Sequence, residues 1–260
     1  NIMEWSVIDR LAGRPIGTYQ GDPAPTYLAM QHHLGVCALD QYIPENPLSM
    51  GAKGYEGHAL GATTGAHTVV LDGMPIREPE DVVAHLEQFE WPRLRQQTAA
   101  FDADAHVAAV LASEANTQAL FGPSILKTGY AFMGFPYFRY GAYGYVNYFS
   151  AYALYPEVME QDFALQGEFF RRLNAAGARA YVEGGLPPVY RLDHDMADSR
   201  GMLADVRSLD RIWLPHFTRC IEPAVRAGVR LVWHSDGNLM ALYPRLIEAG
   251  IAGFQGFQYE

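Results

Sequence analysis

A chain of 260 residues, 49% of them apolar, can bury one large core, and its 29 acidic against 19 basic side chains leave a formal charge of −10, the wrong sign for a phosphate-backbone binder. Nucleic acid is therefore not an expected partner. Two cysteines, Cys37 and Cys220, are too few for a disulfide framework and fit a reducing cytoplasm. The longest apolar stretch, residues 130–155, is broken by Arg139, Asn147, glycines and a proline, so no membrane span is expected.

In chain order, the first informative segment is "RLAGRPIGTY", where Arg10 and Arg14 stand four residues apart. Two guanidinium forks at that spacing can reach carboxylates of one ligand, although paired arginines are more often simply solvated. "TYLAMQHHLGVCALD" reads as a helix capped by Gly35 and followed by a short strand ending at Asp40. "HTVVLD" (67–72) and "QALFG" (118–122) read as further strands. Residues 130–155 hold twelve Tyr and Phe. That density predicts a packed helical hairpin or a homodimer surface, with a wall over a flat ligand as the alternative.

Three later segments repeat one phrase, an amphipathic helix closing on Ala-Gly and then a short apolar run. Gly177, Gly228 and Gly250 stand where a left-handed cap ends a helix, and a buried strand is expected after each. Helices alternating with short apolar strands imply a mostly parallel α/β sheet. No GxGxxG or phosphate-cradling loop is present, and polar residues collect at several strand ends: Asp40, Asp72, Glu183, and His234 with Asp236. The expected fold is a (β/α)8 TIM barrel, one domain over residues 1–260, with its site at the C-terminal ends of the strands. Residue 1 is Asn, and Glu260 directly follows a strand-like run, which reads as part of a longer product.

Two constellations carry chemistry. "LDHDMADSRG" (192–201) places Asp193, His194, Asp195, Asp198 and Ser199 in one loop, a density that demands solvation, pairing or a cation. "HSDGN" (234–238) follows the apolar run "VRLVW". A His and an Asp two positions apart on a segment leaving a strand can face one ion, and they form a partial set for a catalytic zinc with an open position. The alternative is a polar turn in which Asp236 caps the next helix.

Together these motifs resemble the superfamily of uroporphyrinogen decarboxylases and corrinoid-dependent methyltransferases, (β/α)8 barrels, over nearly the whole chain. "RLAGRPIGTY" is similar to the decarboxylase signature "RQAGRYLPEY", which implies that Arg10 and Arg14 bind substrate carboxylates. "ALDQYIP" resembles "FSDILxIP", whose acid, here Asp40, contacts pyrrole nitrogens; "FGPSILKTGY" points to Tyr130 as a pocket residue and "DMADSRGML" to Ser199. "HSDGN" resembles the methyltransferase pattern "HxCGN", in which the His and Cys bind zinc and a further ligand lies nearer the C-terminus. His234 matches the first ligand, and Asp236 stands where Cys is usual. The third ligand is expected to be Glu260, with Glu183, an acid of "DHDMAD" or a residue past the chain's end as alternatives.

Carboxylate in place of thiolate makes the site harder and the ion a stronger Lewis acid. The resemblance then implies a Zn2+-dependent methyltransferase working in O-demethylation. A methyl group would pass from a small donor, an aryl methyl ether, to Co(I) of a corrinoid on a partner protein, with Glu183 or Asp198 protonating the departing phenolate. The competing expectation is a metal-free uroporphyrinogen decarboxylase of porphyrin biosynthesis using Arg10, Arg14 and Asp40. A non-catalytic binding module ranks third.

Overall fold

Two pentapeptides, "VYRLD" and "RLVWH", bury every second side chain, Tyr190 with Leu192 and Leu231 with Trp233, the period of a strand packed on one face. In the computed structural model, which describes residues 4–43, 50–51, 54–55, 61–63, 65–66 and 68–256, they form the strands Val189–Asp193 and Arg230–His234. They run parallel, with Arg230 opposite Val189 and His234 opposite Asp193. Ile251–Gln255 pairs, also parallel, along the other edge of Arg230–His234. The central strand thus delivers His234 to the C-terminal edge of the sheet beside Asp193. The fold is mixed α/β, and none of the described sheets closes into a barrel.

The chain divides into two compact units, Asn1–Ala59 with Ala112–Thr128, and Leu60–Leu111 with Gly129–Glu260. In the larger unit the helices Pro156–Gly184 and Leu214–Arg226 pack on each other, and the latter also packs on Arg230–His234. Trp213, Phe217, Trp233 and Phe135 meet in the core between them, with Trp213 stacked on Phe217 at 4.5 Å. The aromatic stretch folds inward: Phe135, Phe138, Tyr143, Tyr148 and Tyr152 are all core residues.

In the smaller unit, Trp5–Leu11, Thr18–Gly21 and Pro23–His33 enclose Ile8, Tyr19, Tyr27 and Met30. The strands Ala38–Leu39 and Leu126–Lys127 pair in parallel, and Lys127 donates to both oxygens of the buried Glu114 at 3.0 Å. No helix among the described residues is long and apolar enough to cross a membrane.

The left-handed caps at Gly35, Gly228 and Gly250 and a strand within "HTVVLD" are present, and two other expectations change. Gly177 is no cap: the helix runs on to Gly184 and ends at Gly185, φ 59°. Ala175, Ala176, Ala178 and Ala180 favour continuing it, and Gly177 serves packing instead, since a Cβ there would stand 2.6 Å from Met133 Cγ. "QALF" lies in the helix Ala103–Phe121, closed by Gly122 at φ 66°, and the strand follows at Leu126–Lys127. "HTVVLD" supplies Val69–Leu71, an antiparallel hairpin with Met74–Ile76. Asp72 and Gly73 both take positive φ in its turn, as a two-residue Asp-Gly hairpin requires.

Candidate metal centre

The strand register brings two polar loops together, and backbone hydrogen bonds lace them. His194 N–H donates to the His234 carbonyl at 3.1 Å. Asp236 N–H donates to Asp195 Oδ1 at 2.7 Å, Met196 N–H to Ser235 Oγ at 3.1 Å, and Asn238 N–H to the Asp198 carbonyl at 2.8 Å. Gly237 makes the crossing feasible. It takes φ 86°, and a Cβ there would lie 2.7 Å from the Asp198 carbonyl oxygen, a backbone atom that cannot swing aside.

At the crossing, donor atoms of Asp195, His234 and Asp236 all lie within 4.8 Å of one another. Asp193, one strand over, faces His234 with Oδ1 at 3.9 Å from Nε2. Its other oxygen accepts from Arg191 at 2.9 Å, and that guanidinium lies over the Tyr130 ring, 4.9 Å from its centroid. His234 Nδ1 is buried and has no hydrogen-bond partner among the described residues. An imidazole nitrogen without a partner beside converging carboxylates costs free energy that a cation would recover. The donor set, one imidazole and two carboxylates, suits zinc or a similar divalent ion with a position left open. Gly256 packs closely against this ring: a Cβ there would lie 2.7 Å from the Ser235 carbonyl oxygen and 3.0 Å from Nδ1. The residues therefore fit a metal.

His194, between two candidate ligands in sequence, faces the other way. Its Nε2 accepts from Phe138 N–H at 3.0 Å, and its ring stacks on Tyr140 at 5.4 Å among Phe135, Tyr137 and Phe138. Burial pushes its pKa down to about 4, with Asp195 opposing the shift, so the imidazole is neutral at pH 7. Tyr140 in turn donates to the Asp195 carbonyl at 3.0 Å, tying an aromatic wall to the ligand loop. Only its density of rings marked this wall in the sequence.

The other expected site residues are distributed as follows. Arg10 and Arg14 are exposed at and just after the helix Trp5–Leu11, where the buried Asp9 accepts from Gly17 and Tyr19 N–H at 2.7 Å each. Asp40 follows the strand Ala38–Leu39 and accepts from Gln41 N–H at 2.6 Å. All of these belong to the smaller unit. Glu183 is not at a strand end, because Pro156–Gly184 is still helical there; it pairs with Arg179 at 3.2 Å on an exposed face. Asp198 sits in the tight hairpin Ala197–Asp198/Gly201–Met202, its carboxyl held below the usual range by Arg200 and by Gly201 N–H. Ser199 is exposed in that turn, and Glu260 lies outside the described residues.

A second cluster, Asp72, His85 and Glu90, also converges within 4.8 Å. Its charges are already matched. Asp72 holds His85 at 3.0 Å and Arg93, while Glu90 holds Arg93 at 2.6 Å and Arg139 at 2.7 Å. An ion there would have to displace arginines. Compared with models of known families, with curated proteins and with solved structures, the chain matches none.

Proposed function

We propose that the parallel sheet belongs to a (β/α)8 barrel and that the centre at its C-terminal edge serves a methyltransferase. The enzyme would move a methyl group from an aryl methyl ether to Co(I) of a corrinoid carried by a partner protein. The convergence of Asp195, His234 and Asp236 within 4.8 Å at the ends of parallel strands carries this reading. Bound there, Zn2+ would supply Lewis acidity to an ether oxygen.

The protein's own part is positioning. His234 arrives on the central strand, Asp195 is pinned by Asp236 N–H, and the Asp198–Asn238 hydrogen bond keeps the two loops crossed. Asp236 is exposed, leaving a side open to a donor. Tyr140 ties the ligand loop to the aromatic core through its hydrogen bond to the Asp195 carbonyl. Arg179 engages Glu183, and Asp198 is held ionised, so neither is assigned the phenolate's proton. Solvent supplies it. The transfer would break the methyl–oxygen bond, pass the methyl group to the Co(I) nucleophile of the partner's corrinoid and release the oxygen as phenolate.

The test incubates the zinc-loaded protein with cob(I)alamin and an aryl methyl ether under anaerobic, reducing conditions, following methylcobalamin by absorbance. Methylcobalamin should form with the wild type and stay at background with His234→Ala. Background formation by the wild type across a panel of aryl methyl ethers would overturn the reading.

A further inference from the structure

We infer that His234 meets the metal through Nδ1 and that Asp193 is the positioning residue that holds its ring, an inference that rests on the metal centre proposed above. The two imidazole nitrogens have different surroundings. Nδ1 is enclosed and has no hydrogen-bond partner among the described residues. Nε2 points across to the neighbouring strand, 3.9 Å from Asp193 Oδ1. That is too long for a hydrogen bond, and a small rotation of either side chain would close it.

Metal-ligating histidines almost always give their second ring N–H to a carboxylate, carbonyl or water, which fixes the tautomer and raises ligand basicity. Asp193 is built for that task. Its register opposite His234 sets the two side chains next to each other at the sheet edge, and Arg191 at 2.9 Å holds its second oxygen. Arg191 is itself placed over Tyr130, so Tyr130, Arg191, Asp193 and His234 form one chain of contacts running to the metal. This arrangement uses the orphaned nitrogen and the carboxylate. It keeps Asp195 and Asp236 as the remaining donors and leaves a fourth position vacant for chemistry.

The experiment combines zinc titration with 15N NMR of the histidine-labelled protein, using zinc alone as the probe. In the zinc-bound wild type the His234 Nδ1 resonance should carry the metal-bound shift, with Nε2 protonated. Asp193→Ala should bind zinc roughly 10–100-fold more weakly, and Asp193→Asn, which keeps an acceptor for the ring N–H, should recover most of that loss. A metal-bound Nε2, or an Asp193→Ala protein that binds like the wild type while His234→Ala still abolishes binding, would overturn the orientation and leave the centre standing. A wild type that binds no zinc would overturn both.

Discussion

His194 shows how far one residue's role depends on which way it turns. In an unfolded chain its imidazole takes up a proton near pH 6.5, whereas in the fold burial delays this until about pH 4. The unfolded state therefore binds more protons between those values. Stability that is fully present above pH 6.5 is lost as the pH falls through the folded value, by up to about 3 kcal/mol. Urea titrations of zinc-free protein at pH 7 and pH 4.5 should show a larger loss for the wild type than for His194→Gln, and equal losses would refute the assignment. His234, paired with Asp193 across the sheet, instead keeps a buried Nδ1 with no hydrogen-bond partner among the described residues.

Among the elements, the helix Pro156–Gly184 organises most of what surrounds it. Asp162, fully buried on it, takes two hydrogen bonds from Arg139, at 3.0 and 3.3 Å, and one from Gln166 at 2.7 Å. Arg139 also reaches Glu90 at 2.7 Å, and Arg93 completes the network from an exposed position. Removing one partner of a buried pair strands the other's charge, so Arg139→Met should cost about 3–5 kcal/mol in urea unfolding. Arg93→Met, losing partners at the surface, should cost less than about 1 kcal/mol. Comparable losses would mean that Asp162 is solvated in a way its burial contradicts. The same helix shows where the local signal stops: an Ala-Gly pair ends two other helices, but within this alanine-rich run the glycine admits Met133, and local propensity cannot tell a cap from a close contact.

For the molecule as a whole, a metal that binds only the folded state adds to stability by mass action. Zinc at a hundred times its dissociation constant should stabilise the wild type by about 2.7 kcal/mol. Thermal melts with and without zinc measure this, and the increment should vanish in His234→Ala. An increment that survives in the variant would place the ion elsewhere, with Asp72, His85 and Glu90 the first alternative to examine.

Several features were legible from local chemistry alone. The glycine caps at Gly35, Gly228 and Gly250 follow from the ease with which glycine takes positive φ. The strand Arg230–His234 follows from the short apolar run after a glycine cap, and "HSDGN" and "DHDMAD" stand out because dense polar groups after strands need partners. What local chemistry left open was which acid joins His234. That depends on register: the pairing of His234 with Asp193 and the hydrogen bond from Asp236 N–H bring Asp195 to the centre, while continued helix carries Glu183 to an exposed face. Hydrophobic period shows that a strand exists but not which residue of another strand lies beside it. Spacing along the chain supplied candidate ligands, and only the pairing of strands decided which of them meet.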